Sequence, residues 1–441
     1  MNSIVKSIIE KLAERFGITL YKKADVTYDY ADEGLNPTAI GANVITNIAV
    51  DDSDIIINGE NKRADAMREI VAYYEDEVEN VAVEIALGTG DCIIRPYVQE
   101  DMIGINVIGN DSFMITSAVG GKLQGVVMML DDYTVDSDTY RLFEMQELKD
   151  GVCKMSHFAF KNDKEISIEQ TEWEGISEET DIQADQLLIG RIKCPTINRS
   201  DYNSAEGVPI TYGCDDLIEN VQEKYEQYND EFKRKKSRIF ADRMLFKKDD
   251  NQELTLTDSA EIVKLKGFDG ALSSMIETYS PPIRETDYRS GNNFNLAMLE
   301  MASGLSRGIW TEPETSFATA TEMKNSLKKT FAFVKRLRRR IEAGNKQLFN
   351  AIDILMNANN ITPQGEWEVE HQWSYDYIEE SREKFNQLVQ GNSIGAITTA
   401  EVRSWELNIP LDQAKEQIEE YEQEQIEKQK QMMMEANGMN V

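Results

Sequence analysis

Residues 287–350 confine the fold more than any other stretch: a helical pattern, a short polar loop, then a much longer helical pattern with a dense basic face. The first pattern stops at Gly304-Leu305-Ser306-Arg307-Gly308, where two glycines break it. A proline-containing loop, IWTEPETSF, fills 309–317. Helical spacing resumes at Ala318-Thr319-Ala320-Thr321-Glu322 and continues to about Asn357. No motif elsewhere in the chain competes with this order. Long helices this highly charged leave one another little partner surface, so they ask for neighbours beyond their own chain.

The remaining segments are read by the same periodicities. Residues 3–16 form one amphipathic helix with Ile4, Val5, Ile8, Ile9, Leu12 and Phe16 on a shared face. Residues 43–50 are apolar and branched, and lead through acidic residues to a short strand, Ile55-Ile56-Ile57, that turns at Asn58-Gly59. A helix follows over 62–87, with Ala66, Ile70, Tyr73, Val81 and Ile85 near one face, ending at Gly88-Thr89-Gly90. From 91 to 169, branched and aromatic runs alternate with Gly, Asn and Asp, the pattern of an antiparallel sheet of meanders. Residues 190–210, with Pro195 and Pro209, read as an irregular connector. Residues 215–240 form a helix of roughly 39 Å. Short strand-like pieces occupy 241–283 and close at Pro281-Pro282. Residues 367–373 are a strand, 379–389 and 400–405 helices, and 411–434 a Gln/Glu/Lys-rich helix or coil. The fold class is α+β.

Composition excludes several kinds of chemistry. With 79 acidic and 47 basic residues the net charge is −32, which repels nucleic acid on average. Cys92, Cys153, Cys194 and Cys214 form no C-x-x-C pair, and His157 and His371 stand alone, so no zinc site is expected. The clusters Asp51-Asp52-Ser53-Asp54 and Asp131-Asp132 lack the Gly and terminal Glu of a calcium loop and read as turn chemistry. Gly88-Thr89-Gly90 follows a helix and precedes a strand, the reverse of a phosphate cradle, and reads as a C-cap. Gly120-Gly121-Lys122 lacks the flanking residues of a P-loop. The expectation is no catalytic, metal or cofactor site, hence no enzyme. No 18-residue apolar run is present, and the N-terminal residues lack a signal-peptide core, so synthesis in a cytoplasm is expected.

Charge is segregated along the chain. Residues 231–248 hold eight basic and two acidic residues, among them Lys233, Arg234, Lys235, Lys236 and Arg238. Residues 324–346 hold nine basic and one acidic, among them Lys335, Arg336, Arg338, Arg339 and Arg340. These 41 residues carry +14, leaving −46 on the other 400. Three readings stand: a solvated helix face, contact with DNA, or pairing with acidic surfaces of the same or another subunit.

The order of elements resembles that of tailed-bacteriophage portal proteins of the siphophage-like kind. GTGDCIIRPYV is similar to their helix–turn–strand in the wing, and EGVPITYGCDDLIENVQEKYEQYNDEFKRKKSRIF to their approach to the stem. RIFADRMLF resembles the step into the clip, and GLSRGIWTEPETSFATATEMKNS the tunnel-loop region. The likeness covers most of the chain as an order of elements and is sharpest in 206–246 and 287–350. It implies a wing over 1–210, a first stem helix over 211–240 and a β-rich clip over 241–286. A second stem helix over 287–308, a tunnel loop over 309–317, a long wing helix and strand over 318–376, and a crown-like helical end over 377–441 complete it. It implies a ring of about twelve subunits at one capsid vertex of the virion. There DNA is pumped through by a terminase large subunit and later ejected, with the major capsid protein, its scaffold and a head-tail adaptor as further partners and no membrane. Trp310, Glu312, Pro313, Glu314 and Phe317 would then form a loop facing DNA, with Trp310 and Phe317 anchoring it and the two glutamates at its tip. The ordinary reading of the same loop is a helix–helix connection. The rival for the whole chain is an acidic cytosolic scaffold or assembly protein without a channel.

Overall fold

The computed structural model describes residues 3–18, 20, 21, 23, 34–51, 53–100, 102–234, 238–242, 261–265, 276–279, 284–311, 320–373, 388–392, 394, 396–407, 411, 414, 415 and 418. They form an α+β protein of two compact units, Met1–Gln372 and Trp373–Val441.

The first unit begins with α1 (Ser3–Phe16), α2 (Pro37–Val50) and β1 (Ser53–Asn58). Next come α3 (Lys62–Tyr73), one π-helical turn (Tyr74–Val78) and α4 (Glu79–Thr89), which ends on Gly90 in the left-handed region. The strands β2 (Asp91–Gln99), β3 (Met102–Gly109), β4 (Phe113–Val119), β5 (Lys122–Val135), β6 (Asp138–Lys149) and β7 (Val152–Lys161) follow. They are succeeded by β8 (Lys164–Ile166), β9 (Glu179–Gln183) and β10 (Gly190–Lys193). The rest comprises α5 (Asp215–Arg234), β11 (Arg238–Asp242), β12 (Glu261–Leu265), β13 (Ile276–Tyr279), α6 (Glu285–Ser303), α7 (Ala320–Ala358) and β14 (Glu368–Trp373). In the second unit α8 (Thr399–Leu407) opens on a capping box, Thr398 and Glu401 each bonding the other's backbone N–H. Most of the helix expected over 379–389, and most of 411–434, lies outside the described residues.

The strands of 91–169 do not make one sheet. β4 to β8 form an antiparallel meander with β9 added to β7, while β2 pairs between β3 and β10 in a separate three-stranded sheet. The connector expected over 190–210 therefore begins as a strand: Ile192 stands opposite Cys92. Alternation divides the large sheet between two cores. Met114, Val127, Phe143 and Met145 face α1, which buries Val5, Ile8, Ile9 and Leu12 against them. Ile4 and Phe16, expected on that face, stand at the edge of the stripe and are exposed. Phe113, Ile115, Val126 and Met128 face the other way, onto Ile93, Ile108 and the α7 residues Ala351 and Leu355.

The helical segment 62–89 buries a different face from the expected one. Tyr73 and Val81 are half exposed, whereas Met67, Val71, Tyr74, Val78 and Ala82 are buried. Two features set the phase. Arg63 is fully buried; its guanidinium donates to the carbonyls of Asp353, Thr362 and Pro363 and to the Asn357 side chain at the end of α7. The π turn then takes up one extra residue before α4. Farther along, the Tyr74 hydroxyl donates to Asn345 of α7 at 2.7 Å, and the Asn345 amide donates to Glu79 at 2.8 Å and lies 3.2 Å from His371 Nε2.

Burial pushes the Glu79 carboxyl up to about 7, against the opposing pull of the Asn345 hydrogen bond. Its ordinary value is 4.5, so the folded state holds the proton more tightly than the unfolded one. Its contribution to stability is fully present below about pH 4.5 and is lost as pH rises through about 7. The loss at high pH is on the order of 3 kcal/mol at most. Glu79→Gln should therefore melt higher than the parent at pH 8.5 and coincide with it near pH 5. Parallel melting curves at both pH values would show that Glu79 does not titrate in this range.

Candidate functional site

The most constrained polar cluster on an expected site segment lies where α6 gives way to the loop. α6 closes on Gly304, in the left-handed region, whose N–H bonds the carbonyls of Glu300 and Met301. The Glu300 side chain, 1% exposed, then turns onto the chain that follows it. Its Oε1 accepts from the N–H groups of Gly308, Ile309, Trp310 and Thr311 at 2.9–3.0 Å, and the Thr311 hydroxyl donates to both carboxylate oxygens. Four successive amides converging on one carboxylate form an anion nest filled by the protein's own side chain.

Two further ties fix this root. Ser306 N–H donates to the Thr330 hydroxyl and Thr330 N–H to the Ser306 hydroxyl, at 3.0 and 3.2 Å, joining the root to α7. Trp310 Nε1 donates to the Pro37 carbonyl at 2.6 Å. Its ring packs so closely on Gly41 of α2 that a Cβ there would fall 2.2 Å from Cζ2. The same ring borders a small core of Cys214, just ahead of α5, Ile218 of α5 and Leu299 of α6. Trp310 thus anchors the loop root between helices, as its large apolar ring led one to expect. Glu312, Pro313, Glu314 and Phe317 lie outside the described residues.

α5 and α6 run antiparallel. Leu299 near the end of α6 meets Ile218 near the start of α5, and Arg284 ahead of α6 binds Glu231 near the end of α5 at 2.9 Å. Between them in sequence sits a small sheet of order β12-β11-β13. The helix expected to run to 240 stops at Arg234, and Arg238 instead opens β11 opposite Glu261 and Tyr279. Lys233 is exposed, 3.7 Å from Asp230; Lys235 and Lys236 lie outside the described residues.

On α7 the residues Phe333, Val334, Leu337, Ile341, Leu348 and Phe349 are buried. Lys328, Lys329, Lys335, Arg336, Arg339, Arg340 and Lys346 are exposed on the opposite side. Arg338 breaks the expected set. It is 6% exposed and turned inward, donating to the carbonyls of Ala49 and Ile48 at 2.9 and 3.4 Å. It caps the C-terminus of α2, where a cation complements the helix dipole, so it belongs to the fold and not to the basic surface. A matching acidic stripe on α5 escaped the sequence reading. Asp216, Glu219, Glu223, Glu226 and Asp230 are all exposed, spaced by three and four residues. That spacing was visible in the sequence but was masked by the abundance of carboxylates.

The other polar clusters serve the fold. Glu144 is held to about pKa 2: burial pushes it up, and Arg95 and His157 more than offset that. His157 binds Glu144 at 2.9 Å and the Ser177 carbonyl at 2.8 Å. Asp131 accepts the Trp173 indole N–H. All four cysteines are buried, and burial raises their thiols. Among the described residues no group of three or more His, Cys, Asp or Glu is arranged to hold a metal ion, and no helix is long and apolar enough to cross a membrane. What the arrangement shows is a loop root tied to α2, α6 and α7. No protein-family model and no curated protein matches the chain.

Removing the Glu300 carboxylate leaves four amides without their acceptor. Hydrogen bonds to a charged group contribute about 1.5–3 kcal/mol each, non-additively, so Glu300→Ala should destabilise by at least about 3 kcal/mol. Hydrogen exchange at 308–311 should accelerate by about two orders of magnitude. Glu300→Gln, which retains one oxygen, should lose less. Unchanged exchange at these amides in Glu300→Ala would show that the nest does not hold the root.

Proposed function

We propose that this chain is the subunit of a portal-like ring, a passive channel for double-stranded DNA at one vertex of a phage capsid. The observation that carries the reading is the unit formed by α5, the β11–β13 sheet, α6 and the clamped root that leads to α7. In this reading α5 and α6 are the stem, the small sheet is the clip, residues 309–317 are the tunnel loop, α7 is the long wing helix, and the second unit is crown-like. The three ties at Glu300, Ser306–Thr330 and Trp310 support it, because a loop bordering moving DNA needs a root that does not yield. The net charge of −32 also supports it: an acidic bore repels phosphates, and DNA slides without sticking. The ring's work is to hold a passage open while a terminase supplies the energy, with capsid protein, scaffold and adaptor bound around it.

Native mass spectrometry in low salt should show closed assemblies of roughly ten to fourteen subunits, and negative-stain images should show rings with a central hole. Isolated subunits alone at every salt and concentration, with no ring in virions, would overturn the reading. Glu312→Lys with Glu314→Lys should leave ring formation intact and impair DNA packaging or retention, since a cationic collar grips phosphate. Normal packaging by that variant would remove the loop from the passage.

A further inference from the structure

α7 and α5 expose two stripes of opposite charge and comparable length. The exposed cations of α7, Lys328 to Lys346, fall within about two fifths of the helix circumference over about 27 Å. The opposite face of the helix is buried. Among the described residues none of these cations is in an ion pair. On α5, Asp216, Glu219, Glu223, Glu226 and Asp230 fall within about a quarter of the circumference over about 21 Å. Ile218 and Val221, on the other side, are buried. Asp230 shares its charge with Lys233 of the same helix, and Glu223 accepts from Gln227. Both stripes face solvent within one chain, so neither covers the other there.

We infer that the acidic stripe of α5 in one copy of this chain seats on the basic stripe of α7 in the next copy. Two different surfaces of the same subunit that complement each other form a heterologous contact, the kind that closes into a ring when the rotation allows. A duplex of phosphates would also fit a row of cations, but a chain of net −32 repels it at long range. It would also leave the acidic stripe without a counterpart. Charge complementarity across such a contact fixes register and rejects wrong partners. The inference rests on the ring reading above and adds which surfaces meet.

The test is a charge exchange read by native mass spectrometry across a salt series. One variant carries Arg336→Glu, Arg339→Glu and Arg340→Glu; a second carries Glu219→Lys, Glu223→Lys and Glu226→Lys; a third carries all six. Arg338 is left in place because it caps α2. Circular dichroism and melting temperature confirm that each variant folds. Each triple variant should assemble at least about tenfold more weakly in low salt, and the six-fold variant should recover most of the loss. The differences should shrink as salt rises, since screening acts beyond about 8 Å at physiological ionic strength. A parent that forms rings regardless of either triple substitution leaves the ring reading standing and overturns this contact. So does a six-fold variant that recovers nothing, most plainly if a short DNA duplex binds the parent and not the α7 variant by fluorescence anisotropy. A parent that never associates overturns the ring reading, and this contact with it.

Discussion

The tertiary structure depends on how closely α7 lies against β10. Gly344 and Gly190 meet there: a Cβ on Gly344 would fall 2.5 Å from the Arg191 carbonyl oxygen, and one on Gly190 would fall 2.7 Å from Leu348 Cβ. A glycine inside a helix costs about 1 kcal/mol relative to alanine. Here it lets the helix backbone rest on a strand. That approach carries Ala351 and Leu355 into the core with Ile93, Ile108 and Phe113. With α7 fixed, the positions of α2, α3 and the loop root follow from it.

Each of those positions is set by a buried polar group. Arg63 ties α3 to the end of α7, Asn345 ties α7 to Tyr74 and Glu79, Arg338 ties α7 to the end of α2, and Glu300 holds the chain leaving α6. Within the sheets, Asp91 binds Arg191 and the Gly207 N–H, and Glu144 binds Arg95 and His157. Burying a charge is costly unless it is fully hydrogen-bonded, and replacement by apolar packing is often no less stable. What these groups add is register, because each finds its partners in only one arrangement of the helices. A channel subunit, as we read this chain, uses such rigidity directly: its loop root keeps its place under load.

Surface charge follows a different rule from buried charge. Inside, Asp91 is paired with Arg191 and Glu144 with Arg95, while Arg338, Glu300 and Glu79 are held by uncharged groups of the same chain. Outside, α7 carries a row of cations and α5 a row of carboxylates that the same copy does not bring together. Segregation of this kind is what the contact between copies inferred above would use.

The sequence by itself determined most of the local conformations. Branched and aromatic runs between turn residues marked β2 to β7, glycines at 304 and 90 ended their helices, and helical spacing located α1, α6 and α7 to within a few residues and the start of α5, whose end it carried into β11. It located α7's cations but not which way each one points. Which strands pair, that β10 exists, where the π turn falls, that Arg338 turns inward, and that Glu300 gathers four amides were decided by tertiary structure alone. The physical reason is that periodicity reports what a segment can bury, whereas the partner that buries it is distant in sequence. Arg338 and Arg339 are neighbours with the same chemistry. One meets the end of α2, 289 residues away, and the other meets water.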